Sequence, residues 1–170
     1  TSDGYTRNNI KEVNELYDCF IVGSDQVWSP FCTGGDLTYF LDFVSEHRKR
    51  NSYAACVGVA GEDFLKSETI VKNLQKFNNI SVREESTQDK LNTIMSDKIE
   101  KRISLDVDPT LLLDNEKWDK VATDIKEEPY IFVYSLSMPN EVIEFAKNFA
   151  KEKQKKIIFC TLDNLFTLKK

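Results

Sequence analysis

The sequence predicts an α/β protein built on a parallel sheet flanked by helices. Three observations carry this. Short apolar runs bounded by glycine or proline recur along the chain. Stretches with apolar residues at helical spacing separate them. Four of the apolar runs end in glycine or charged clusters. A parallel sheet of this kind hides both faces under crossover helices. Its ligands lie at the carboxyl ends of the strands, so those polar strand ends are where chemistry is sought.

The elements follow in order. Residues 9–17, NIKEVNELY, place Ile10, Val13, Leu16 and Tyr17 on one helical face. DCFIVGS follows as a buried strand, with Cys19, Phe20, Ile21 and Val22 unbroken by a polar residue. It stops at Gly23 and presents Ser24, Asp25 and Gln26, with Trp28 just beyond. The loop QVWSPFCTGGD carries a proline and paired glycines. TYFLDFV (38–44) reads as an edge strand or a turn of helix.

KRNSYAACVGV gives a second strand, Ser52 to Val59, ended by Gly61. Residues 62–76 read as a helix, acidic at its start and basic near its end, as the helix dipole prefers. NISVREE is a short strand, Ile80 to Arg83, running into the helix ESTQDKLNTIM. ISLDVDPTLLL (103–113) is a strand that breaks at Pro109. DNEKWDKVA opens with capping residues and predicts a helix. The charged DIKEEP, 124–129, reads as a linker. Beyond it, YIFVYSL, PNEVIEFAKNFAKEKQK and KIIFCTL form strand, amphipathic helix and strand. The predicted domains are therefore 1–123 and 130–170.

Composition narrows the function. The 170 residues are 41% hydrophobic and 30% charged, which supports a core with a solvated surface. The net charge of -5 lacks the basic excess that coating a nucleic acid requires. No segment approaches the ~20 apolar residues of a membrane span. No signal peptide is evident. The chain begins at Thr1, so an upstream piece is expected. The four cysteines, Cys19, Cys32, Cys56 and Cys160, form no CxxC pair and no zinc spacing. They read as buried thiols of a reducing, cytoplasmic compartment. No phosphate loop and no GxGxxG is present. His47 lies in the charged run EHRKR and reads as a surface residue without a catalytic role.

The candidate site residues each admit two readings. Gly23–Ser24–Asp25–Gln26 is either a turn with a helix cap or a polar cluster facing a ligand. In the second reading Asp25 is a base or an acceptor for sugar hydroxyls, and Gln26 a hydrogen-bonder. Trp28 is either a core residue or a stacking platform. Arg83 either pairs with Glu84, Glu85 or a neighbour, or grips a carboxylate or phosphate. Asp106 and Asp108 stand two apart and suggest paired carboxylates, while Asp108–Pro109–Thr110 also suits a turn. Paired carboxylates of this kind suit metal binding or acid–base work, but no metal site and no bound cofactor is expected.

The order of these pieces is informative. DCFIVGSDQVW, YFLDFV, YAACVGV, ISVREE, DVDPTLLL with a following Trp helix, and YIFVYSL together resemble the polysaccharide pyruvyl transferase family, from about Tyr17 to Leu136. The resemblance implies two Rossmann-like halves facing across a cleft, as in B-type glycosyltransferases. It implies transfer of a pyruvyl ketal from phosphoenolpyruvate to sugar hydroxyls of a bacterial surface polysaccharide. Gly23, Ser24, Gln26, Arg83 and Asp108 fall on the substrate-binding positions, with Arg83 at the phosphoenolpyruvate site and Asp25 as the candidate catalytic residue. The expected acceptor is a saccharide, free or lipid-linked. Peripheral association with the inner face of the membrane is a further expectation.

Three departures qualify the resemblance. Family chains are longer, their second half carries a histidine motif that His47 does not match, and Cys56 replaces a small hydroxyl residue. The chain thus reads as an excerpt: a first domain without its opening βα unit and the first βαβ of a second. An inactive fragment, with self-association through the truncated second domain, is the corresponding expectation. The alternatives are a nucleotide-sugar glycosyltransferase of similar architecture, a non-catalytic carbohydrate-binding or scaffold relative, or a generic α/β module.

Overall fold

A computed structural model describes residues 4–58, 63–96, 103–123 and 128–161. The chain is mixed α/β and divides into two compact units, Thr1–Trp118 and Asp119–Lys170.

In unit 1, β1 (Phe20–Val22) pairs in parallel with β2 (Arg50–Ser52), and β3 (Ser81–Val82) pairs in parallel with β4 (Ser104–Leu105). Single parallel bridges, Asn51 to Asn79 and Ala55 to Val82, set the two pairs side by side. The strands are shorter than the apolar runs that announced them. The run Ser52 to Val59 leaves the ladder after Ser52, and Ala54 takes a positive φ of 46°. β1 is also not buried throughout. Val22 joins the core, whereas Ile21 is 66% exposed and Cys19 lies at the surface. Alternate residues of a strand face opposite ways, so Ile21 points away from the core that Val22 enters.

Connecting elements are short. A 3-10 turn, Ile10–Glu15, replaces the expected first helix, and another, Leu37–Phe40, stands at the ambiguous TYFLDFV. α1 (Pro30–Thr33) is a single turn opened by its proline. The expected 62–76 helix is broken. A 3-10 turn, Phe64–Lys66, precedes α2 (Glu68–Leu74), and the Ser67 hydroxyl between them accepts from the Ile70 amide at 3.4 Å. α3 (Glu85–Met95) coincides with the expected ESTQDKLNTIM. A 3-10 turn, Pro109–Leu112, and α4 (Asn115–Asp119) follow β4.

The core of unit 1 is aromatic. Trp28 is fully buried, stacked on Phe40 at 5.5 Å between ring centroids and edge-on to Phe77 at 5.9 Å. Its indole N–H donates to the Tyr39 carbonyl at 3.0 Å, so the polar edge is satisfied. Trp28 is therefore a core residue and not a platform. Leu65, Ile70, Leu74, Val82 and Leu91 belong to the same cluster. Arg50, buried at the start of β2, braces the preceding loop by donating Nε to the Val44 carbonyl at 2.9 Å.

In unit 2, β5 (Tyr130–Tyr134) and β6 (Lys156–Cys160) form a continuous parallel ladder bridged by α5 (Asn140–Lys153). α5 starts after Pro139 and ends at Gln154, whose φ of 51° closes the helix. All four cysteines are free, Cys56 buried and Cys32 exposed. Among the described residues no helix is long and apolar enough to cross a membrane. Residues 59–62, including the glycine expected to end the second strand, most of the 124–129 linker, and 162–170 lie outside the described residues.

Candidate functional site

The polar ends of β1, β3 and β4 meet at one guanidinium. Arg83 follows β3 directly, and its amide donates to the Ala55 carbonyl at 3.3 Å, which fixes where the side chain leaves the sheet. Its fork then meets three carboxylates. Nε donates to Glu84 at 3.1 Å, Nη1 to Asp108 at 2.8 Å and Nη2 to Asp25 at 2.9 Å. The hydrogen bond to Asp25, with those to Asp108 and Glu84, holds Arg83 above its ordinary pKa against the opposing effect of burial.

Asp108 is the anchor. Its Oδ2 accepts from the Ser24 hydroxyl at 2.7 Å as well as from Arg83. Its Oδ1 accepts from the Thr110 amide at 3.0 Å and the Thr110 hydroxyl at 2.7 Å, capping the turn Pro109–Leu112. The Ser24 hydroxyl, the Thr110 donors and Arg83 together push its carboxyl well below the usual range. The turn reading and the site reading of Asp-Pro-Thr thus hold at once. One oxygen caps the turn and the other holds the arginine.

Ser24 is delivered to Asp108 by the close crossing of the chain at Gly23. A Cβ at Gly23 would land on the Tyr53 carbonyl, so only glycine fits there. The Cys56 amide in turn donates to the Ser24 carbonyl at 2.9 Å, and the Trp28 amide to the Cys56 carbonyl at 3.1 Å. Burial, and then the neighbouring Glu84 carboxylate, push the Cys56 thiol up.

Not every expected residue joins. Gln26, at a φ of 47°, turns its amide oxygen toward Cys32, whose thiol donates at 2.8 Å. It belongs to the packing of the loop near Gly58 and does not contact Arg83. Asp106 accepts from the hydroxyls of Ser81 at 2.6 Å and Ser104 at 2.7 Å, which lowers its pKa and ties β3 to β4. It does not pair with Asp108. Tyr53 was not singled out by the sequence, and Thr110 was read only as part of a turn. The Thr of Asp-Pro-Thr is a legible capping signal, whereas nothing local marks Tyr53 as the carbonyl that Gly23 must pass.

Beside the network lies an open, almost wholly apolar cleft of ≈ 340 Å³ lined by Ile21, Gly23, Tyr53, Pro109 and Leu112. The arrangement therefore offers a positioned guanidinium, an exposed carboxylate on it, and an apolar wall adjoining both.

Comparison with curated proteins and with solved structures returns no match. The family described as polysaccharide pyruvyl transferase does match, over residues 2–163. That span takes in GSDQVW, SVRE and DPTLL, whose strand ends converge on Arg83. The chain belongs to the polysaccharide pyruvyl transferase family.

Proposed function

We propose that this protein serves transfer of a pyruvyl group from phosphoenolpyruvate to hydroxyls of a bacterial surface saccharide, with Arg83 gripping the donor's carboxylate or phosphate. The observation that carries the reading is the convergence of three strand ends on Arg83, whose Nε and Nη1 are fixed by Glu84 and Asp108 while Nη2 faces the exposed Asp25. A planar fork held this way suits a planar or tetrahedral oxyanion. The finer architecture that goes with this reading is a Rossmann-like half facing a second such half, of which unit 2 contributes a βαβ.

The chemistry balances without a redox partner. A sugar hydroxyl adds to C2 of the enol phosphate while a proton is delivered to the methylene, which becomes a methyl group. A second hydroxyl then displaces phosphate, giving the cyclic ketal and inorganic phosphate. Each hydroxyl loses a proton, so a base is needed at the acceptor. Asp25 is the most exposed of the three carboxylates on Arg83, and we assign it that role. The apolar cleft at Ile21, Tyr53 and Leu112 is the natural wall for the acceptor, either the face of a sugar ring or the lipid of a carrier. A lipid-linked acceptor would bring the protein to the inner face of the membrane.

Titration calorimetry of phosphoenolpyruvate into the chain and into Arg83→Ala tests the reading. Saturable binding that is lost in the variant is the expected result. Binding equal in both would move the anion away from Arg83 and overturn the assignment.

A further inference from the structure

We propose that Asp25 is a built-in competitor for the anion site: its carboxylate occupies Nη2 of Arg83 and must be displaced when an anionic ligand enters. This rests on the reading of Arg83 as the donor's anchor and adds a device to it.

The three carboxylates on Arg83 are not equivalent. Asp108 is 21% exposed and makes three further hydrogen bonds, to Ser24 and to the amide and hydroxyl of Thr110. Glu84 is 33% exposed, adjoins Arg83 in sequence, and lies against the buried Cys56 thiol. Asp25 is 73% exposed, and among the described residues its side chain makes its hydrogen bond to Arg83 at 2.9 Å. An exposed, singly held ion pair contributes little and is readily exchanged. Asp108 is held by Ser24 and Thr110, and Glu84 by the burial of its Oε2, so an incoming anion replaces Asp25 first.

Charge also requires the exchange. Three carboxylates around one guanidinium leave the cluster negative. A phosphate or carboxylate ligand is repelled until one of them withdraws, and Asp25 is by far the most exposed of the three. Displacement then does two things. It frees the Nη2 donor that Asp25 held, and it leaves the Asp25 carboxylate unpaired at the rim of the site, where it can take a hydroxyl proton. A neutral sugar arriving alone would not release it. The device therefore orders the two substrates, donor anion first.

The test is calorimetric titration of phosphoenolpyruvate, and separately of inorganic phosphate, into the intact chain, Asp25→Asn and Arg83→Ala, with a thermal melt of each. Asp25→Asn should bind both anions on the order of tenfold more tightly than the parent chain, because the competitor's charge is gone. Binding seen in Asp25→Asn and undetectable in the parent would support the proposal equally. Arg83→Ala should bind neither. If Asp25→Asn melts as the parent does and binds no more tightly, while Arg83→Ala still abolishes binding, the competitor role is overturned and the donor site on Arg83 stands. If no protein binds either anion, or if Arg83→Ala binds as the parent does, the donor site falls and the competitor with it.

Discussion

Unit 1 wraps strands of two or three residues around a fully enclosed aromatic cluster, whereas unit 2 has two five-residue strands in continuous register and buries little beyond Ala146, Ala150 and Thr161 among its described residues. Four large side chains of unit 2, Phe132, Tyr134, Phe145 and Phe149, are exposed. In unit 1, Trp28, Phe40 and Phe77 are sealed. Regular hydrogen bonding and tertiary burial are thus separable. A ladder satisfies backbone donors and acceptors, while a core takes side chains out of water. The strand ends of unit 1 could become a site because the sealed cluster beneath them fixes where Gly23, Arg83 and Asp108 emerge.

The most forceful way to break the contrast is Trp28→Ala. It removes a fully buried indole, its stack on Phe40 and its bond to Tyr39. The expected cost is about 3–5 kcal/mol, as for other large-to-small aromatic truncations in cores. It should appear as a lower denaturant midpoint and loss of near-ultraviolet circular dichroism. A loss under about 1 kcal/mol would mean that the cluster can collapse around the gap, and that unit 1 is no better packed than unit 2.

A smaller effect sharpens the electrostatic side of the comparison. Asp108 is held below its ordinary value of 3.8 by Ser24, Thr110 and Arg83. A depressed carboxylate adds stability that is fully present above the unfolded pKa and is lost as pH falls through the folded one. The parent chain should therefore be more stable than Asp108→Asn by a constant margin near neutrality. That margin should shrink once the pH drops below about 4. Paired urea titrations at pH 7 and pH 3 measure it. A margin that stays constant to pH 3 would show that Asp108 acts through shape alone.

The sequence was most legible where the cause of structure is local. α3 and the three elements of unit 2 fall where periodicity and capping put them, because those signals span only a few residues. The site was legible in part for the same reason. Strand ends concentrate ligands in this architecture, so Ser24, Asp25, Arg83 and Asp108 were visible as a set, and they meet. What was not legible depended on chain crossings. Ile21 looks like core in its run, yet faces out because its neighbour Val22 takes the core side of the strand. Gln26 looks like part of the cluster, yet turns to Cys32 because its backbone adopts a positive φ. The pairing of Asp106 with Ser81 and Ser104, rather than with Asp108, follows from the β3–β4 register, which no single segment encodes.

The smallest expected effect belongs to unit 2. Phe145 is 71% exposed and stacks on Phe149, with the two ring centroids 6.1 Å apart, on the surface of α5. Beside it a groove of ≈ 320 Å³ runs along β5, lined by Phe132, Tyr134 and Phe149 among others. An exposed phenyl contributes little burial, so Phe145→Ser should change stability by no more than about 0.5 kcal/mol. The result matters because it can fail in one direction only. A loss above about 1.5 kcal/mol would require that the phenyl be desolvated in solution. Unit 2 would then have its apolar face covered after all, and its shortage of buried side chains would belong to the isolated chain and not to the βαβ itself.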